Sequence, residues 1–145
     1  MADRRLPPKT LRRKSREFAL QMLFQWEMGR EEPSKLKKKF WRVARGSPDT
    51  RAFANQLFEG AVTESASLDE LIGRFSDNWS TARMAAIDRA ILYLAVFEMR
   101  KSDSPLKVVV TEAVELAKKY SSDESASFIS GVLNAIHNAP PDSQE

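Results

Sequence analysis

Arg12-Arg13-Lys14-Ser15-Arg16, at the start of a helical pattern, is a stretch whose residue types and spacing suit chemistry on a polyanion. Guanidinium groups form forked hydrogen bonds to phosphate and stack on bases, so successive turns of Arg and Lys can track an RNA strand. Cations in a first helical turn oppose the helix dipole, a small local cost that points to an external anion. The pattern taken alone fits a solvated charged face equally well. A second cluster, Lys35, Lys37, Lys38 and Lys39, sits on a short amphipathic segment where lysines commonly serve solubility. An RNA surface also needs an aromatic on which an unpaired base can stack, and Phe128, Trp79, Trp41 and Phe24 are the candidates. The spacing of each fits a core position better than an exposed one, although periodicity does not separate the two for Phe128 beside Ile129.

Chemistry of other kinds has little to stand on. With Cys 0 there is no disulfide framework, thiolate metal site or cysteine nucleophile. The single histidine, His137, has no carboxylate at the spacing of a bundle metal site, since neither Glu112 nor Glu115 belongs to a Glu-x-x-His unit. It reads as a helix-terminal cation near the negative end of the dipole. No Gly-x-Gly-x-x-Gly or phosphate-cradling loop is present, and Asp123-Glu124 reads as an acid pair at a helix start. The expectation is a protein that is not an enzyme, with no cofactor and no metal.

The 145 residues, 42% hydrophobic and 30% charged, suit one globular domain that buries roughly two-thirds of its unfolded surface. The longest apolar run, Ala90 to Phe97, is eight residues, well short of the ~20 that cross a bilayer, and the N-terminus has no apolar signal core. A cytoplasmic protein is expected. The net charge of +3 hides an asymmetry: residues 1–16 hold seven of the 23 Lys+Arg and one acid, Asp3, for a local charge of +6, which leaves −3 for the remainder. A basic arm on a mildly acidic body concentrates attraction for phosphates on one face.

The elements that must position these residues follow from punctuation by Gly 5 and Pro 7. Thr10 is the expected cap of a first helix with Phe18, Ala19, Met22, Leu23 and Trp26 on one face, ending near Gly29. A short helix follows Pro33-Ser34, with Leu36, Phe40 and Val43 inward, and stops at Gly46-Ser47-Pro48. Asp49 then caps a long stretch carrying Phe53, Leu57, Ala61, Leu68, Leu71, Ile72 and Phe75, bent near Gly60, as one helix or two. Residues 76–80 read as a loop. Thr81 opens a central helix with Met84, Ile87, Ile91, Leu94 and Phe97, widened by Leu92, Ala95 and Val96. Ser104-Pro105 starts the next helix, and a last one follows Ser121-Ser122 with Phe128, Ile129, Val132, Leu133 and Ile136 together. The sum is an all-α bundle of about six to seven helices. The expected divisions are a flexible basic arm over 1–9, a helical domain over 10–138 and a frayed tail over 139–145.

These residues resemble the NusB family of bacterial transcription antitermination factors. Arg12 through Trp26 is similar to the family's Arg-rich opening followed by an Ala-Leu-Gln-x-Leu-aromatic-x-Trp helix. Trp79 to Arg83, Ile87-Asp88-Arg89-Ala90-Ile91-Leu92 and Phe97-Glu98 resemble the central helix, while Pro105 to Lys118 and Phe128-Ile129-Ser130-Gly131-Val132-Leu133 resemble the last two. The resemblance implies two small helical subdomains and binding of the boxA element of nascent ribosomal RNA. That binding occurs with NusE, a small-subunit ribosomal protein, in an antitermination complex on RNA polymerase. It further implies that Arg12, Arg13, Lys14 and Arg16 contact RNA and that Phe128 is a base-stacking platform, with Phe24 and Asp88 contacting NusE. This chain departs from the family pattern at Ser127, where Lys or Arg is frequent, at Ser130, where Asn is frequent, and at Phe24, often Tyr.

Two other readings carry different consequences. A helical protein-interaction scaffold with a non-specific basic arm, able to form a homodimer when free through apolar helix faces, predicts RNA binding that follows salt alone. A related domain within an RNA methyltransferase needs a Gly-rich cofactor strand and a Cys nucleophile, neither of which occurs between Met1 and Glu145.

Overall fold

The computed structural model describes residues 9–76 and 81–140, and all regular structure among them is helical. The helices in chain order are α1 (Lys9–Gly29), α2 (Pro33–Val43), α3 (Pro48–Thr63), α4 (Ser65–Arg74), α5 (Ala86–Lys101), α6 (Leu106–Tyr120) and α7 (Asp123–Asn138), with a 3-10 turn at Thr81–Arg83. Trp79, with the rest of the expected loop at 77–80, lies outside the described residues, as do 1–8 of the basic arm and 141–145 of the tail.

Every side chain from Ala90 to Glu98 on α5 is buried, the mark of a helix surrounded by others. It packs against α1, α3, α4, α6 and α7. The most extensive pairings of the remaining helices are α1 with α3 and α6 with α7, so α1–α3 form one small group and α4–α7 the other. A continuous apolar core that includes Leu20, Leu23, Phe58, Leu92, Ile129 and Leu133 joins the two groups.

Local sequence explains most boundaries. Pro33 and Pro48 occupy first-turn positions of α2 and α3, where a missing N–H costs nothing. Glu32 caps α2: its carboxylate accepts from the Ser34 hydroxyl at 2.6 Å and the Ser34 amide at 3.2 Å, which holds its pKa below the ordinary carboxylate value. Ser122 caps α7, accepting from the Ser125 amide at 3.0 Å, with Asp123 and Glu124 in the first turn. α1 ends at Gly29, yet the left-handed residue is Arg30, at φ 53°, whose guanidinium lies 4.2 Å from the Trp26 ring centroid.

Several expected positions move. α1 already includes Thr10, so that residue stands inside the helix. Val43, expected inward, is exposed at the last position of α2. Ser47 caps α3 in place of Asp49, which sits in its first turn. The 49–75 stretch is two helices whose break falls at Glu64, and Gly60 lies inside α3, where the ring of Phe97 leaves no room for a Cβ. Thr81 begins only the 3-10 turn, and α5 starts at Ala86. Pro105 is the extended residue before α6, while the buried Ser104 hydroxyl has no partner among the described residues and caps nothing.

Candidate nucleic-acid interface

Packing separates the chemistry of Arg12, Arg13, Lys14 and Arg16 on α1. Arg13 is 60% exposed in its side chain and forks onto Glu112 of α6, with Nε donating to Oε1 at 3.0 Å and Nη2 to Oε2 at 2.7 Å. The Glu112 hydrogen bond and charge raise the Arg13 pKa further. Lys14 projects into solvent with Nζ 4.9 Å from the Phe18 ring centroid and 3.9 Å from Glu17. Arg12 is half-buried.

Arg16 requires a correction. Its side chain is 7% exposed and forks onto the buried Glu98 of α5, with Nε to Oε1 at 2.9 Å and Nη2 to Oε2 at 2.6 Å. Nη1 lies 3.7 Å from Glu112, and the guanidinium lies 5.8 Å from the Phe53 ring centroid. A guanidinium so enclosed holds α1 to α5 and is not presented to a strand of RNA. The signal was available in the spacing: carried back one turn, the stripe of Ala19, Met22, Leu23 and Trp26 falls on Ser15 and Arg16, both buried. Ser15 accordingly donates to the Thr50 carbonyl at 2.8 Å, fixing α1 to α3.

The side chains of Phe128 and Asp88 meet in one cleft. It is formed where the 3-10 turn and the start of α5 approach the start of α7, has a volume of about 290 Å³, and is lined also by Arg83, Ser122, Glu124 and Ser125. Phe128 is half-buried, with part of its ring packed against the core. Asp88 is buried: Oδ2 accepts from the Ser125 hydroxyl at 2.8 Å, and Oδ1 has no partner among the described residues. Arg83, Glu124 and Ser125 were missed because they converge from segments far apart in sequence, which no periodicity reveals. Of the departures from the family pattern on α7, Ser127 is exposed, whereas the Ser130 carbonyl accepts from the Asn134 side-chain amide at 2.9 Å.

Phe24 lines a different depression, an apolar groove of about 500 Å³ with Leu20, Met28, Ala86, Ile87 and Tyr120. Ala85 lines both the groove and the Phe128 cleft, so the two adjoin. The edge between α1 and α6 thus changes character along its length. Arg13–Glu112 and Glu17–Lys119 ion pairs mark its early turns, and the apolar groove its end. His137 is exposed in the last turn of α7, and no group of carboxylates and histidine that could hold a metal exists among the described residues. No described helix is long and apolar enough to cross a membrane.

The NusB family model matches residues 13–138. The chain belongs to the NusB family. The transcription antitermination protein NusB of Sorangium cellulosum is 43% identical over 122 residues, covering 83% of this chain and 87% of that one. NusB of Myxococcus xanthus is 40% identical over 130 residues, covering 86% and 93% respectively. Among solved structures, a chain from the crystal structure of antitermination factors NusB and NusE in complex with dsRNA superposes with a TM-score of 0.80 at 28% identity. That match covers 92% of this chain and 100% of that one. The solution structure of NusB from Aquifex aeolicus gives a TM-score of 0.80 at 28% identity, with 93% of each chain covered.

Proposed function

We propose that this protein is a non-enzymatic transcription antitermination factor. It binds boxA-type single-stranded RNA of nascent ribosomal transcripts jointly with the ribosomal protein NusE, and so helps assemble an antitermination complex on RNA polymerase. Acting on nascent transcripts, it would work in the cytoplasm, with the helical residues 9–138 as the binding domain. The observation that carries the reading is the shared border at Ala85: a cleft offering an aromatic ring and hydrogen-bonding groups adjoins an apolar groove suited to a protein partner. RNA and NusE held side by side there would each complete the other's site. Arg12, Arg13 and Lys14 supply phosphate contacts, Phe128 a stacking face and Phe24 the partner contact, while Asp88, expected beside Phe24, is buried in the Phe128 cleft and holds Ser125 there.

A fluorescence-anisotropy titration of boxA RNA and a scrambled control, with and without NusE and at two salt concentrations, tests this. Sequence-selective binding strengthened by NusE is expected, with Phe128→Ala lowering RNA affinity by about 1–3 kcal/mol. Equal, purely salt-driven binding to both RNAs would leave a basic arm on a helical scaffold. A Phe128→Ala variant that loses fold without losing affinity per folded molecule would make that ring a packing residue alone.

A further inference from the structure

Away from these sites, α2 and α3 face each other across an open cleft of about 460 Å³ whose lining includes Lys38, Arg42 and Arg51 and contains no carboxylate. These three cations are exposed and have no salt bridge among the described residues. Lys37, which also lines the cleft, pairs with Glu59, and the neighbouring Lys39 pairs with Glu31 at 2.6 Å, so the structure divides the lysine run into paired and unpaired members. Helical spacing places Ser34, Lys38 and Trp41–Arg42 on one face of α2, opposite Arg51 and Asn55, four residues apart on α3.

An aromatic centre orders this basic surface. The half-buried Trp41 donates through Nε1 to Asn55 Oδ1 at 2.8 Å, which fixes the indole, and the Arg51 guanidinium lies 5.1 Å from the Trp41 ring centroid. Held in this way, Arg51 loses less side-chain freedom on binding an anion than a free arginine would. The start of α1 packs on the same aromatic cluster. Lys14 covers Phe18, Phe18 meets Trp41 edge-to-face at 5.1 Å, and Trp41 meets Arg51. The cations of α1 and those of the α2–α3 cleft therefore border one aromatic cluster.

We propose that the α2–α3 face is a second phosphate-binding surface, which takes the RNA that flanks the element bound at α1 and α7. Unpaired cations in a lining free of carboxylates suit a polyanion of uniform charge, and the α1 cations on the other side of the shared aromatic cluster select the same RNA strand as the occupant. The contact is to backbone phosphate, so it adds affinity for longer transcripts without reading their sequence. This inference rests on the RNA-binding reading above.

The test compares the parent with the combined variant Lys38→Ala, Arg42→Ala, Arg51→Ala, and with a control variant, Arg100→Ala, Lys107→Ala, Lys118→Ala, that removes the same charge elsewhere. Anisotropy is measured with a short RNA covering only the boxA element and a longer RNA carrying it within flanking sequence, and circular dichroism verifies folding. For the longer RNA the first variant should flatten the slope of log affinity against log salt by about two, since each lost single-strand phosphate contact removes about 0.7. Over a fourfold rise in salt, that makes its affinity loss about twentyfold smaller than the parent's. The short RNA should bind the variant as it binds the parent, and the control should keep the parent's slope on both RNAs. Unchanged slope on the longer RNA, or an equal change in the control, overturns the second surface and leaves RNA binding itself standing. Failure of the parent to bind either RNA overturns the underlying reading instead. Preference for an acidic peptide over the longer RNA would reassign the face to a protein partner and likewise overturn the proposal.

Discussion

Arg13 and Arg16, one helical turn apart, separate the two uses of a basic run. Removing Arg16 leaves Glu98 buried with no counter-charge, and Arg16→Ala should cost about 3–5 kcal/mol of folding stability, read from denaturant unfolding. Arg13→Ala should cost at most about 1 kcal/mol, because its pair is exposed and screened. It should instead flatten the salt slope of RNA binding by about 0.7. If both variants lost stability alike, the division between them would fail. Tyr93 gives a pH signature. Burial raises its phenol pKa, and so does the Asp69 carboxylate that accepts its hydroxyl at 2.7 Å. The unfolded chain therefore ionises at this position first, near the ordinary value of about 10. Its stabilising contribution is complete below that pH and is lost as pH rises above it, by up to about 1.4 kcal/mol per pH unit. Tyr93→Phe should flatten the alkaline decline in stability measured by denaturant midpoints, and an unchanged slope would assign that decline to other groups.

Among the helices, a pair of glycines makes opposite predictions. Gly60→Ala gains helix propensity but drives a Cβ into the Phe97 ring, so overpacking should win and lower stability by about 1–3 kcal/mol. Gly131 on α7 has open space where an alanine methyl would stand, with nothing within 4 Å, so Gly131→Ala should raise stability by about 0.5–1 kcal/mol. Thermal melts of the two variants in opposite directions would bear this out. Gly60 also marks the limit of what is legible in the sequence. Helix cores were readable, because Ala19, Met22, Leu23 and Trp26, or Ile129, Val132, Leu133 and Ile136, repeat with the period of a buried face. The break at Glu64 was not, because no proline or glycine marks it, while Gly60, the residue that suggested a bend, lies within α3. The candidate site divides similarly. Arg13 was a candidate from its pattern and Phe128 was singled out by the resemblance alone, the burial of Arg16 was encoded in the stripe but overridden by its charge, and the convergence of Arg83, Asp88 and Ser125 required the fold.

For the whole molecule, the central α5 sets the distances between surfaces that belong to different helices. Its first turns help line both the Phe128 cleft and the apolar groove. Phe24→Glu should abolish the enhancement of RNA binding by NusE, while leaving the salt-driven affinity of the protein alone close to the parent's. Anisotropy with and without the partner distinguishes the two effects, and equal enhancement in parent and variant would remove Phe24 from the partner contact. Glu112 adds a property that neither stability nor affinity alone describes. Its carboxylate already occupies the fork of Arg13, so an arriving phosphate must compete with a tethered rival. A lone nucleotide or inorganic phosphate competes for that fork with one group, whereas a polymer brings several linked phosphates at once and wins by multivalency. On the proposed role of Arg13 in RNA binding, Glu112 would discriminate against abundant small phosphates in favour of a polymer. Glu112→Gln should accordingly make RNA binding more sensitive to added free phosphate at constant ionic strength.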